Sequence, residues 1–331
     1  MNAVKVLNTV ARIAIPLLLG GAILFWMYRG FDFDAVRNVV LHEMNWCWML
    51  LSFPFGILAQ AMRGWRWRQT LDPLGEHVRT SVSVNAIFVS YAASLVIPRI
   101  GEFSRCGILK RYDRISFAKA LGTVVTERAV DTLLLAIVTG ITLVVQIRVF
   151  NVFFAQTGTS MESILKGFTW AGYLVTLVCA VAAVLLVHTL LKRLEFYHKI
   201  KATIGSLWQG IISLKGVVNM PVYVLLSVGI WVCYFLHYYL TFFCFDFTRE
   251  LEWTCALVTF VVGSMAVIVP TPNGAGPWHF AVKTMLILYG VADEDALYFV
   301  LIVHSIQTLL VVALGIWGWM ALAFTKRKQI T

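Results

Sequence analysis

What most constrains this chain is a succession of apolar stretches, each about long enough to cross a hydrocarbon core, joined by short polar connections. A helical span needs about 20 mostly apolar residues. Residues 9–28, 45–62, 168–191, 222–245 and 296–324 read as spans, and so does 118–146, although it holds Glu127, Arg128 and Asp131 well inside it. Residues 82–98 form a shorter run dotted with Asn85, Ser90, Tyr91 and Ser94. Residues 257–289 are apolar but broken by Pro270-Thr-Pro-Asn-Gly-Ala-Gly-Pro277. Composition closes the alternatives. Charged residues make up 13% and hydrophobic residues 60%, whereas a soluble domain carries roughly 25% charge to wet its surface. A soluble Rossmann or barrel enzyme, a secreted disulfide scaffold and a disordered chain are all excluded. The first stretch has bulky Phe25, Trp26, Met27 and Tyr28 where a signal peptide has its small-residue cleavage site, so it is expected to stay as an anchor.

Loop charge then sets the topology. The formal net charge is +10, and the basic residues lie in loops, where the positive-inside bias and anionic head groups account for them better than nucleic acid does. Segments 63–79, beginning Arg63-Gly-Trp-Arg-Trp-Arg, and 99–119 are both basic. A full crossing by 82–98 would place them on opposite faces, so this run is expected to dip in and return. Residues 192–215 and 326–328 are basic and expected inside. Residues 148–167 carry little charge, and 246–252 and 293–295 are acidic; all three are expected outside. Both ends of 257–289 then face outward, and it too returns. The expected fold is an all-α polytopic membrane protein of about six full spans plus two re-entrant helical hairpins in an inverted-topology repeat, an arrangement typical of transporters. The alternative is a plain bundle of eight or more spans. Residues 1–331 read as a single integral membrane domain with pseudo-repeat halves at 45–146 and 222–324 and both termini cytoplasmic. Residues 200–218 place Ile204, Leu207, Trp208, Ile211 and Ile212 at helical spacing between lysines, an interfacial amphipathic helix.

Three polar clusters break the apolar runs. In Pro98-Arg-Ile-Gly-Glu-Phe-Ser-Arg105 a proline and Gly101 interrupt the helix, and Arg99, Glu102 and Arg105 follow at the break. A charge at bilayer depth costs about 2.5–3.5 kcal/mol without a partner, so these three call for partners or a ligand. Their net charge is positive, and arginine forks match phosphate geometry. The cluster is therefore expected to be the centre of an anionic head-group site; the alternative is an interfacial loop with ordinary topogenic arginines. Glu127, Arg128 and Asp131 share one helix face, either as a self-neutralising salt bridge or as groups that orient those arginines or relay a proton. In the third cluster, Gly274 and Gly276 permit unusual backbone, free amides could face an anion, and His279 is the first titratable side chain beyond. His237 and His304 read as hydrogen-bonded packing residues. None of the six cysteines forms a CxxC pair, so they read as small apolar residues and no metal site is expected. No GxxxxGK[ST], HExxH or GxSxG occurs, so neither an internal ATPase nor a cofactor is expected.

Val96-Ile-Pro-Arg-Ile-Gly-Glu-Phe-Ser-Arg, Thr126-Glu-Arg-Ala-Val-Asp and Val269-Pro-Thr-Pro-Asn-Gly-Ala-Gly, in this order, resemble the lysylphosphatidylglycerol synthase transmembrane-region family, the flippase-like half of the multiple peptide resistance factor, also found as stand-alone proteins. The resemblance covers nearly the whole chain. It implies a bacterial or archaeal inner-membrane protein that moves lipids or lipid-linked molecules between leaflets. The family often has Glu where this chain has His279, so a role for that carboxylate does not carry over. The cytosolic aminoacyl-transferring domain is absent from the sequence, so lipid lysylation is not expected. Membrane lipids with anionic head groups are the expected partners, and a homo-oligomer is compatible with the sequence. A non-enzymatic translocator is the first expectation. Two alternatives remain: a membrane enzyme acting on lipid phosphates or lipid-linked sugars with Glu102 and Asp131 as acid and base, and a non-transporting assembly protein.

Overall fold

The structure, a computed structural model, describes residues 18, 20–29, 32–146, 216–269 and 271–327. The span expected at 168–191, nearly all of the amphipathic helix at 200–218, the loops at 148–167 and 192–215 and the N-terminal part of 9–28 lie outside the described residues. Every regular element among the described residues is helical. Among the described residues, eight helices of twelve residues or more carry the fold: α1 (Trp46–Leu71), α2 (Thr80–Val96), α3 (Ile100–Asp113), α4 (Phe117–Val145), α5 (Met220–Tyr239), α6 (Trp253–Ala266), α7 (Pro277–Leu288) and α8 (Asp293–Ala323). Three of these are long and apolar enough to cross a membrane: α4, α5 with its 3₁₀ continuation to Cys244, and α8.

Helix α1 differs from its expected extent. It starts where Asn45 accepts a hydrogen bond from the Cys47 amide at 3.1 Å and runs unbroken to Leu71, well past residue 62. Arg63-Gly-Trp-Arg-Trp-Arg, expected to begin a basic loop, therefore lies within the helix. Arg63, Arg66 and Trp67 are buried, whereas Trp65 is exposed and Arg68 largely so. The cause is charge: both buried arginines find carboxylates on α4, so neither needs water.

Helices α2 and α3 form a tight hairpin turned by Ile97, Pro98 and Arg99, with Arg99 in the left-handed region at φ 64°. Pro98 disfavours helical backbone at Ile97, which sits extended at φ −130° and ends α2. Just beyond the turn the arms touch. The Gly101 amide donates to Ser94 Oγ at 3.2 Å, and a β-carbon at Gly101 would collide with the Ser90 carbonyl. Helices α6 and α7 form the second hairpin. Its turn holds Asn273, Gly274 and Gly276 at positive φ, after which Pro277 opens α7. The arms are short: 17 and 14 residues in the first hairpin, 14 and 12 in the second. At 1.5 Å per residue they reach about 26, 21, 21 and 18 Å, less than the roughly 30 Å of a hydrocarbon core.

Packing ties the parts together. Helices α1 and α5 run antiparallel: the Asn45 amide donates to the Cys244 carbonyl at 2.8 Å, Gly56 faces the His237 ring, and Arg66 reaches Ser227. Helices α2 and α8 are also antiparallel, with Gly315 against Ala92 and Gly318 against Asn85 and Phe88. Helix α6 lies on α4, α3 on α4, α7 on α8, and the second hairpin's tip, Pro272–Gly274, reaches α2. One apolar core gathers Tyr238, Phe242 and Phe299; another gathers Trp67, Leu71, Ile87, Leu109 and Val124. Leu133, Val144, Leu309, Trp317 and Trp319 point outward, the surface expected of helices solvated by lipid.

Candidate functional site

Glu127 and Asp131, one turn apart on α4, are the focus of a buried network. Glu127 Oε1 accepts from Arg63 Nη1 at 2.5 Å and Arg128 Nη2 at 3.0 Å, and lies 3.4 Å from Arg66 Nη2. Its Oε2 accepts from Arg105 Nη1 at 2.7 Å. Asp131 accepts from Arg66 Nη2 and Arg63 Nη2, each at 2.7 Å, with Arg128 Nη2 at 3.3 Å. Helix α1 supplies Arg63 and Arg66, α3 supplies Arg105, and α4 supplies Arg128. Further groups fix the forks. Arg63 Nε donates to the Tyr234 hydroxyl at 2.9 Å, which lies 3.3 Å from that of Tyr91. Arg66 Nη1 donates to Ser227 Oγ at 3.2 Å. Arg105 sits 4.6 Å over the Trp67 ring, a cation–π contact. Four arginines thus face two buried carboxylates, an excess of two positive charges, of which Glu102, 3.7 Å from Arg128 Nε, offsets one. Arg63, Arg66 and Arg105 are nearly inaccessible, whereas the Arg128 side chain is 42% exposed.

The network forms one wall of a cavity of about 440 Å³ between the first and second hairpin units. Arg63, Arg128, Asp131, Tyr91 and Tyr234 line that wall; Asn273, His304, Gln307 and Thr308 line the other end. Between them run Leu135, Trp231, Phe260, Val267, Leu310, Val311 and Leu314. Thr132 and Val267 on its lining are exposed. At the neutral end, Asn273 Nδ2 donates to Thr308 Oγ1 at 2.7 Å, and His304 Nε2 meets the Asn273 carbonyl at 3.1 Å. These bonds hold the second hairpin's tip against α8.

The residues singled out from the sequence fall into three places. Arg105, Glu127, Arg128 and Asp131 come together in the network, with Glu102 at its edge through Arg128. Arg99 stands apart, exposed at the start of α3. Arg99, Glu102 and Arg105 are therefore not assembled into one centre, because Arg105 turns inward onto Glu127 while Glu102 turns toward Arg128. Gly274 and Gly276 shape the second turn. His279 is buried behind it, its Nδ1 accepting from the Gly276 amide at 3.4 Å and its ring 4.4 Å from that of His304. His237, as expected of a packing residue, bonds the Ser52 carbonyl at 2.8 Å. Arg63, Arg66, Gln60, Tyr91, Tyr234 and Asn273 were not singled out as site residues. The signal for Arg63 and Arg66 was the pair of carboxylates deep in 118–146, Glu127 and Asp131, beside which Arg128 is the single cation within two turns. Among the described residues no group of three or more His, Cys, Asp or Glu is placed to hold a metal ion.

Apolar helices of membrane length, with their charges drawn into a buried network, define an integral membrane protein. Residues 13–315 match the family described as the lysylphosphatidylglycerol synthase TM region, and the chain belongs to that family. No curated protein and no solved structure shows a significant match to it. The three motifs carry the turn and first helix residues of the first hairpin, the carboxylates of α4 and the turn of the second hairpin.

Proposed function

We propose that this protein is a translocator, not an enzyme, which passes anionic phospholipid or lipid-linked head groups between leaflets through the cavity between the two hairpin units. One observation carries this reading: a buried network with surplus positive charge faces a cavity whose other surfaces are apolar or neutral. Stabilising a buried positive excess calls for an anion, and arginine forks favour phosphate. The apolar wall between α4 and α8 suits the chain end of a lipid.

The arms of both hairpins, too short for a full crossing, support re-entrant elements that thin the barrier from opposite faces. The contact pattern supports an inverted repeat. The α1–α5 pair maps onto itself, α2–α8 onto α6–α4, α2–α3 onto α6–α7, and α3–α4 onto α7–α8. Antiparallel packing of α1 on α5 is what opposite insertion of two related halves requires. In this reading the protein sits in the cytoplasmic membrane with both termini inside, and transport is scrambling or ion-coupled. Acid–base catalysis by Glu102 and Asp131 is disfavoured, because both Asp131 oxygens are taken up by arginines.

The test is purified protein in vesicles carrying acyl-labelled fluorescent phosphatidylglycerol, with a membrane-impermeant quencher added outside. Quenching beyond the outer-leaflet half, faster than in protein-free vesicles, is expected. Quenching that stops at that half refutes translocation, and a new lipid product would replace this reading with the enzyme.

A further inference from the structure

Residues 20–27 are helical and lie against the second hairpin. Gly20 allows the close approach at the turn, where a β-carbon on Gly276 would meet the Gly20 carbonyl. Further along, the Trp26 and Phe280 rings stand 6.2 Å apart, and the Tyr28 ring is edge-on to His279. Between this segment and α7 runs a groove of about 220 Å³. Trp26, Met27, Phe280, Ile287 and Leu288 line it with apolar surface. Trp26 and Phe280 are 68% and 47% exposed, so the groove opens toward the lipid that solvates the helices. Pockets that enclose a whole small molecule hold roughly 300–1,000 Å³. This groove is smaller and suits a stretch of one acyl chain, the rest of the lipid staying in the bilayer.

Lys283 is the one charged residue among the lining residues. Its ammonium has three N–H donors and accepts nothing. Among the described residues its one partner is Asp293 Oδ1 at 2.8 Å, and the side chain is only 18% exposed. The remaining donors therefore sit largely out of water beside apolar surface, where an unmade bond to a charged group is costly. Phosphate oxygens answer them with charge-assisted hydrogen bonds. The surroundings decide the rest of the head group. Asp293, 63% exposed, opens the acidic run Asp293-Glu-Asp295. One cation thus stands beside three carboxylates, which repel a head group of purely negative charge. A primary ammonium close to the phosphate pairs with Asp293 instead, since a carboxylate has room for more than one donor.

We infer that this groove is a second lipid site, separate from the cavity and independent of what crosses it. It holds one acyl chain of a phospholipid whose head group carries both a phosphate and a primary amine. The phosphate takes Lys283 and the amine takes Asp293. The leaflet is the one that borders Asp293-Glu-Asp295, the outer one in the orientation proposed above.

The experiment asks which lipid occupies the groove. Full-length protein is reconstituted in vesicles of equal phosphatidylethanolamine and phosphatidylglycerol, one or the other carrying a photoreactive diazirine in its acyl chain, and crosslinks are mapped by mass spectrometry. Leu133 and Val144, outward on α4, report ordinary contact with the bilayer. Relative to them, labelling at Trp26, Phe280 and Ile287 is expected to be at least threefold higher with the phosphatidylethanolamine probe than with the phosphatidylglycerol probe. Lys283→Met keeps an unbranched stem and leaves the exposed Asp293 to water, so the fold is expected to hold while phosphatidylethanolamine labelling of the groove falls at least threefold. Asp293→Asn is expected to remove the preference for phosphatidylethanolamine. Equal relative labelling by both probes in the parent overturns the inference. So does phosphatidylethanolamine labelling that Lys283→Met leaves unchanged, which would mean an annular lipid only.

Discussion

Because the network holds more arginines than carboxylates, its members should not be equally dispensable. Glu127→Gln keeps the shape of the side chain but leaves four guanidiniums around Asp131 alone, raising the positive excess from two to three. Leaving buried charge uncompensated costs about 3–5 kcal/mol, and Glu127, at 2% exposed, gains no screening from solvent. Arg66→Met acts in the opposite sense. It forfeits the short bond to Asp131, about 1.5–3 kcal/mol for a hydrogen bond to a charged group, and a longer one to Ser227, whose hydroxyl keeps its bond to the Tyr223 carbonyl. Yet it lowers the positive excess to one, removes a buried Nε that has no hydrogen-bond partner, and leaves both carboxylates with other arginines. Glu127→Gln should therefore be the more damaging by about 2 kcal/mol, the difference between those ranges. At roughly 2 °C per kcal/mol, that separates the melting points by about 4 °C. The assay is thermal loss of the monodisperse peak for both variants and the parent in one detergent. If Arg66→Met melts at or below Glu127→Gln, the network is not governed by surplus positive charge.

Two further outcomes are expected. Gly101→Leu should destabilise by about 1–3 kcal/mol or more, the usual cost of overpacking, because its β-carbon collides with the Ser90 carbonyl; a parental melting point would mean that α2 and α3 are not in contact there. In a cysteine-free background, a single cysteine at position 294 should react with an impermeant reagent in whole cells and one at 326 only after lysis; the reverse pattern would invert the proposed orientation.

Among the described residues the apolar helices were legible in the sequence because hydropathy reports burial in lipid directly, whereas α3 was not, its residues lying in a segment read as a basic loop. The break at Pro98 and the turn residues Asn273, Gly274 and Gly276 were legible for a steric reason: they mark backbone that cannot continue a helix. The extent of α1 was not. Arg63 and Arg66 occur in the pattern that interfacial arginines share, and only a partner 64 or more residues away decides between a head-group anchor and a buried ion pair. Glu127 and Asp131 were conspicuous as charges within an apolar run, but their partners depend on how α1, α3 and α4 pack, which hydropathy does not encode. Gln60 drew no notice for the same reason. An amide near the end of an apolar helix is ordinary until the cavity beside it is known.

The long-range pairing of α1 with α4 also bears on how the chain is made. Arg63 is synthesised 64 residues before Glu127 and 68 before Asp131. At roughly 5–20 residues per second that is an interval of about 3–14 s. During it the last third of α1 holds two guanidiniums with no counter-ion, each about 2.5–3.5 kcal/mol too costly for the bilayer centre. Burial of those side chains as ion pairs therefore waits until α4 has been made and brings both carboxylates. The packing of α1 is thus completed by a later segment, so a chain stalled before residue 127 would leave both guanidiniums without the carboxylates that bury them.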